Sequence, residues 1–246
     1  MSDILLIQFR RDERAAELER ASIAREVGNM VSLHTVSALD ETVDWDNPVQ
    51  LLRVYQGVIL GGSGDFDFDG GRSDVDESRL MSGVLLERLR PLLDCVFAYD
   101  VPTLGICFGH QLLGAFSGAQ VVHDGVQGKT RSHPVEILSD CSESSLLSGV
   151  PQTFKGYYIH KDSLDRLPEG AELLGHGGEA CRYSVLRYKK NIYSTQFHPE
   201  LTFDDVLVRI DTFPGYLPEG VTAEQVFSRE AHSNTILSNF GKLIAK

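Results

Sequence analysis

One cysteine of this chain lies between glycines two residues before it and two after, in Leu104-Gly105-Ile106-Cys107-Phe108-Gly109-His110-Gln111-Leu112. An apolar run, Val101 to Ile106, leads into it, and a helical pattern follows at once. That layout is a nucleophile elbow, a sharp strand-to-helix turn at which small flanking residues let neighbouring backbone pass close by. A thiol placed there meets the unpaired N–H groups and dipole of a helix N-terminus, which favour thiolate over thiol. Cys107 is therefore the candidate nucleophile. A cysteine nucleophile needs a base to take its proton and a third group to orient that base. Of eight histidines, His198 stands out, because it follows the apolar run Ile192 to Phe197 and precedes Pro199-Glu200. An imidazole and a carboxylate two residues apart at the carboxyl end of a strand sit where sites collect in open parallel sheets. Cys107, His198 and Glu200 form the candidate catalytic set.

The elements that must position these groups are legible as alternation. Ile4 to Phe9 is an apolar run broken only by Gln8, as in a buried parallel strand. From Asp12 to Val27, apolar residues recur at helical spacing among charges, with Asp12 able to cap the start and Gly28-Asn29 able to end it. Val31 to Val36 and Gly57 to Leu60 read as further strands, the second running into Gly61-Gly62-Ser63-Gly64, and Leu80 to Leu93 reads as an amphipathic helix. The elbow helix runs from Phe108 to about Ser117. Strand-like segments follow near 119–123, 131–138, 153–159, 171–176, 181–188 and 192–197, some extending the sheet and some forming hairpins beside it. Helical patterns resume over Phe203 to Ile210 and Thr222 to Leu243, with a structured turn at 213–218 between them. Alternating strands and helices predict a parallel sheet covered on both faces.

Composition narrows the chemistry. The 246 residues suit a single α/β domain, and 35 acidic against 23 basic residues give a net charge of −12, which disfavours nucleic acid or an anionic membrane as partner. No run of eighteen apolar residues appears, and the start lacks a basic n-region, so the reading is a cytoplasmic protein. Cys95, Cys107, Cys141 and Cys181 lack metal-site spacing and are too few for a disulfide framework. Apart from Cys107, they read as small buried hydrophobes or incidental thiols.

Gly105-Ile106-Cys107-Phe108-Gly109-His110-Gln111, together with Gln196-Phe197-His198-Pro199-Glu200, resembles the class I glutamine amidotransferase family. Gly61-Gly62 resembles the family's oxyanion-loop glycines, and His160-Lys161-Asp162 its H-x-D segment. The general look is of a stand-alone member related to the amidotransferase domain of GMP synthase. The resemblance implies a three-layer open, mostly parallel sheet of flavodoxin-like architecture, one domain over 1–246 with 202–246 as a helical C-terminal extension, and no cofactor. It implies that Cys107 attacks the side-chain amide of glutamine, giving ammonia and a γ-glutamyl thioester that water resolves to glutamate. His198 would be base and acid, Glu200 its orienter, and the N–H groups of Gly62 and Phe108 the oxyanion donors, each worth about 3 kcal/mol. Gln111, Gly61 and His160 would meet the substrate, with Asp162 nearby, and His110 would pack under the site.

Two features depart from the pattern. Ser63-Gly64 stands where the family usually has a proline, which weakens the expectation for the Gly62 donor. The acidic loop that follows places Asp65, Asp67, Asp69, Ser73 and Asp76 with a central Gly70, a spacing that mimics a calcium loop. The preceding strand, and Arg72 where an apolar residue is usual, favour a solvated loop, so the reading adopted is no metal. Three functions stay open: a glutamine hydrolase that can supply a separate synthetase subunit with ammonia, a γ-glutamyl peptidase or hydrolase acting on other γ-glutamyl amides, and a non-catalytic binding or regulatory module. A dead relative would be expected to lose Cys107, His198 or Glu200, and all three stand.

Overall fold

Short apolar runs of this chain become neighbouring parallel strands whose carboxyl ends open on one edge. The structure, a computed structural model, describes residues 2–138, 144–230 and 232–245; Cys141 lies outside them. β1 (Ser2–Gln8), β2 (Val31–Ser37), β3 (Gly57–Leu60), β4 (Thr103–Ile106) and β11 (Ile192–Thr195) run parallel in the order β2-β1-β3-β4-β11. Beyond β11 the nine-stranded sheet continues antiparallel through β10 (Val185–Arg187), β9 (Glu172–His176), β6 (Lys129–Ile137) and β7 (Thr153–His160). β5 (Val121–His123) and β8 (Asp162–Leu164) form a separate antiparallel pair beside it. The sheet is mostly parallel, as expected.

Alternation along each strand sorts the core into two layers. Ile4, Leu6, Ile59, Leu104 and Ile106 face Ile23 and Val27 of α1 (Glu13–Val27) and Ile236, Leu237, Phe240 and Ile244 of α7 (Asn234–Ile244). Leu5, Ile7, Val58 and Leu60 face Leu85, Leu89, Leu92 and Val96 of α3 (Glu77–Tyr99) and Leu112 and Leu113 of α4 (Phe108–Phe116). Each such buried side chain contributes about 1.5–3 kcal/mol. A third cluster joins Tyr157 to Leu201, Phe203 and Val206, the last two on α5 (Phe203–Thr212). No helix is long and apolar enough to cross a membrane among the described residues, and Cys95, Cys107 and Cys181 are free thiols.

The helix from Asp12 matches the sequence pattern: Asp12 caps it, accepting from the Ala15 N–H at 2.7 Å, and Gly28 ends it at φ 77°. Two helices differ from the sequence reading. α3 begins earlier and ends later than 80–93, because Asp76 caps it by accepting from the Ser78 N–H and Asp100 ends it at φ 50°. Pro91 lies inside it; its buried Leu face holds the helix through the lost hydrogen bond. The pattern over 222–243 is not one helix but α6 (Ala223–Val226) and α7. The chain is diverted between them: Tyr157 donates to the Ser228 carbonyl at 2.7 Å and the Ser228 N–H donates to Ser132 at 2.8 Å. The short helix α2 (Pro48–Leu52) and strand β8 have no counterpart in the sequence reading.

Candidate active site

Cys107 closes β4 and opens α4 in a conformation, φ 52° and ψ −98°, that side chains rarely adopt. Such a residue stores about 1–3 kcal/mol and persists only when its surroundings force it. They do so here: the Cys107 N–H donates to the Thr195 carbonyl at 2.9 Å, the Gln111 N–H to the Cys107 carbonyl at 3.1 Å, and the Gly109 N–H to the Gly61 carbonyl at 3.0 Å. The flanking glycines are required by contact. A Cβ on Gly105 would lie 2.5 Å from the Gly109 oxygen, and one on Gly109 would lie 2.2 Å from the Leu60 oxygen. Gly109→Ala is expected to lower stability by about 3 kcal/mol, the upper part of the overpacking range, as measured by denaturant unfolding.

His198 and Glu200 reach the same edge from the end of β11. The His198 N–H donates to the Tyr157 carbonyl at 2.8 Å, and its Nδ1 meets Glu200 Oε1 at 2.8 Å. A carboxylate at Nδ1 holds the ring proton there and leaves Nε2 as the face for a thiol. Burial works against the imidazolium, but the Glu200 carboxylate and the Cys107 thiol outweigh it, and His198 is pushed up to about 9. Burial would raise the Glu200 carboxyl, yet His198 and then Arg209 outweigh that too, holding it down at about 2. Arg209 Nη2 lies 3.5 Å from Glu200 Oε1, and Arg25 donates to the Glu200 backbone carbonyl at 3.1 Å. The thiol itself lies 3.7 Å from the Ile159 carbonyl, to which it donates.

Cys107 lies at the wall of a pocket also lined by Phe108, Gln111, His160, Lys161 and Tyr216. Gln111 Nε2 donates to the Asp162 carbonyl at 2.8 Å, and His160 Nδ1 meets the same oxygen at 2.9 Å. Burial drives the His160 pKa down to about 3, so the ring is neutral. With its proton committed to that carbonyl, its buried Nε2 is a bare acceptor without a partner. Such an atom can receive an N–H from a bound molecule. Phe108, first in α4, presents an N–H the helix cannot use. His110 packs beneath, its Nδ1 2.8 Å from Ser194 Oγ, and burial lowers its pKa to about 3.

Both loop glycines differ from expectation. Gly61 does not face the pocket: its N–H donates to the Ile7 carbonyl at 3.0 Å and its own carbonyl anchors the elbow helix through Gly109. The Gly62 N–H is not free for an oxyanion, because it donates to Glu19 Oε1 at 3.0 Å. The acidic loop at 65–76 is held by ion pairs, a helix cap and a docking carboxylate. Among the described residues no three His, Cys, Asp or Glu side chains converge as a metal site would need. Asp67 pairs with Arg72 at 2.9 Å and Lys161 at 3.2 Å, Arg79 pairs with Asp74 at 3.0 Å, and Asp76 caps α3. The loop is docked by Asp162, whose carboxylate accepts from the Asp69 and Gly70 N–H groups at 2.8 and 2.7 Å.

Sequence reasoning missed Arg10, Glu19, Arg209 and Tyr216. Arg10 follows β1 at the carboxyl edge of the sheet, so the rule that singled out His198 applies to it equally. Glu19 and Arg209 lie on helices among many charges and carry no local signal. Tyr216 comes from the turn at 213–218, whose aromatic and proline content marked structure but not position.

Known proteins share this fold and part of this sequence. The family model for glutamine amidotransferase class-I matches residues 25–205. A GMP synthase (glutamine-hydrolyzing) subunit of Methanocaldococcus jannaschii is 29% identical over 135 residues, which span 52% of this chain and 69% of that one. The corresponding GMP synthase subunit of Archaeoglobus fulgidus is 28% identical over 171 residues, 69% of this chain and 80% of the relative. A crystal structure of a glutamine amidotransferase from Thermotoga maritima shares the fold at a TM-score of 0.73 and 19% identity, covering 100% of this chain and 98% of its own. A glutamine amidotransferase structure from Methylobacillus flagellatus superposes at 0.63 with 14% identity, covering 100% and 93%. With the family model matching well over half of the chain, the protein belongs to the class I glutamine amidotransferases.

Proposed function

We propose that the chain hydrolyses the side-chain amide of glutamine through a thioester on Cys107, releasing ammonia and glutamate, and delivers the ammonia to a separate synthetase of the GMP synthase type. The observation that carries this reading is the Cys107 elbow set beside His198, itself held by the buried Glu200 at 2.8 Å. The sulfur attacks the amide carbon, and the carbonyl electron pair moves onto oxygen. As the C–N bond breaks, His198 supplies the proton that lets the nitrogen leave as ammonia. The imidazole then takes a proton from water, which attacks the thioester and frees glutamate. Glu200 keeps Nδ1 protonated through both halves, and Arg209 supports the charge of Glu200. The partner is proposed from the two archaeal relatives, each of which is one subunit of a glutamine-hydrolyzing GMP synthase.

The same thioester chemistry would cleave other γ-glutamyl amides, and the test separates the two. Purified protein incubated with glutamine is expected to release ammonia and glutamate in equal amounts, while γ-glutamyl dipeptides yield at least tenfold less glutamate. Glutamate from dipeptides with none from glutamine would replace this reading with a γ-glutamyl hydrolase. Release from neither, whether the protein is alone or mixed with a synthetase, would leave a non-catalytic module.

A further inference from the structure

The N–H expected to stabilise the oxyanion is already bound to Glu19, and a second group occupies the same side of the site. Arg10 follows β1, and its side chain is 3% exposed. Its Nε and Nη2 both donate to Glu19 Oε1, at 3.3 and 2.9 Å. Its Nη1 has no hydrogen-bond partner among the described residues. A side chain on Gly62 would start 3.2 Å from Arg10 Nη2, 3.1 Å from His198 Cε1 and 3.6 Å from Cys107 Cβ. One on Gly64, which lines the pocket, would start 3.6 Å from Arg10 Nη1. Guanidinium, base and nucleophile thus converge on one bare face of Gly62.

We propose that Arg10 is a catalytic residue, the cation that stabilises the negative charge developing on the substrate carbonyl oxygen when Cys107 attacks, with Glu19 as the positioning residue that fixes its plane. This rests on the function proposed above. In the attack the sulfur lone pair forms the S–C bond and the carbonyl pair moves to oxygen, where the guanidinium faces it. The charge returns to the C=O bond as ammonia leaves with the proton from His198. A purely architectural role would account for Nε and Nη2, which tie β1 to α1. It leaves unexplained why a nearly inaccessible guanidinium shares the bare face of Gly62 with the base and the nucleophile. Buried ion pairs are poor sources of stability compared with apolar packing, whereas an always-charged planar donor in a dry site suits a developing anion. Glu19 also explains the bare loop: a Cβ on Gly61 would lie 2.9 Å from its Oε2.

The test uses the double variant Arg10→Gln/Glu19→Gln, which removes the cation without leaving a carboxylate unpaired. With glutamine, kcat is expected to fall on the order of 10²–10³-fold, with KM within about threefold and partial rescue by guanidinium ion. A second readout does not depend on glutamine being the substrate. The ratio of Cys107 alkylation rates by anionic iodoacetate and neutral iodoacetamide, followed by peptide mass spectrometry, is expected to fall at least tenfold. Should the double variant fail to fold, Arg10→Lys carries the comparison: it is expected to keep the iodoacetate preference but lose about tenfold in kcat along with Nη1. An unchanged alkylation ratio in the double variant, a loss confined to KM, or Arg10→Lys at full kcat would overturn the proposal. If the unmodified protein turned over no glutamine, the functional reading would fall while the alkylation ratio still decided for or against Arg10.

Discussion

Cys107→Ala is expected to reduce glutamine hydrolysis to background, a loss on the order of 10⁶-fold in kcat, since the step that forms the thioester has no other nucleophile. Glutamate release by a coupled assay measures it, and retention of even a hundredth of the activity would remove Cys107 from the mechanism. The strained backbone gives this prediction a second arm. Alanine keeps the Cβ that φ 52°, ψ −98° penalises, whereas glycine does not. Cys107→Gly should be equally inactive yet melt above Cys107→Ala. Relief of about 1–3 kcal/mol of strain, less about 0.5–1 kcal/mol for the looser unfolded chain, amounts to a few degrees in Tm. Equal melting temperatures would mean that the elbow stores no strain.

Glu200→Gln is expected to cost on the order of 10³–10⁴-fold in kcat, because an amide cannot hold the Nδ1 proton or balance an imidazolium. Its effect on stability follows from the two titrations. His198 is raised from 6.5 to about 9, so its contribution is fully present below pH 6.5 and lost as pH rises through 9. Glu200 is lowered from 4.5 to about 2, so its contribution is present above pH 4.5 and lost as pH falls through 2. The pair stabilises most between pH 4.5 and 6.5. The gap in Tm between wild type and Glu200→Gln should be widest there and shrink on both sides. A gap that stayed constant up to pH 10 would show that the ion pair does not form in the folded chain.

What the chain reveals in advance is what is local. The elbow is legible because strand, cysteine, glycines and helix are contiguous, and His198 with Glu200 because a single strand end carries both. The parallel half of the sheet is legible because each strand is a short apolar run between punctuating residues. Other features depend on partners distant in sequence. The loop at 65–76 resembles a calcium cradle only until Lys161 and the docking carboxylate of Asp162 arrive from β8 and the residue before it. The run over 222–243 reads as one helix because nothing local announces that Tyr157 and Ser132 will seize Ser228. Gly62 had the right type and place, yet the fate of its N–H depended on Glu19, whose carboxylate reaches the loop from the middle of α1.

Tyr216 and Arg209 give the chain a working boundary that differs from its hereditary one. The shared family pattern closes at residue 205, just after the helix bearing Arg209 has begun. A chain ended there would keep Cys107, His198 and Glu200, yet would strip Glu200 of its second cation, Arg209, open one wall of the pocket and remove the α7 layer from beneath β1. Residues that the family model does not reach therefore bear on the proposed reaction, through the carboxylate that orients the base and through a wall of the pocket.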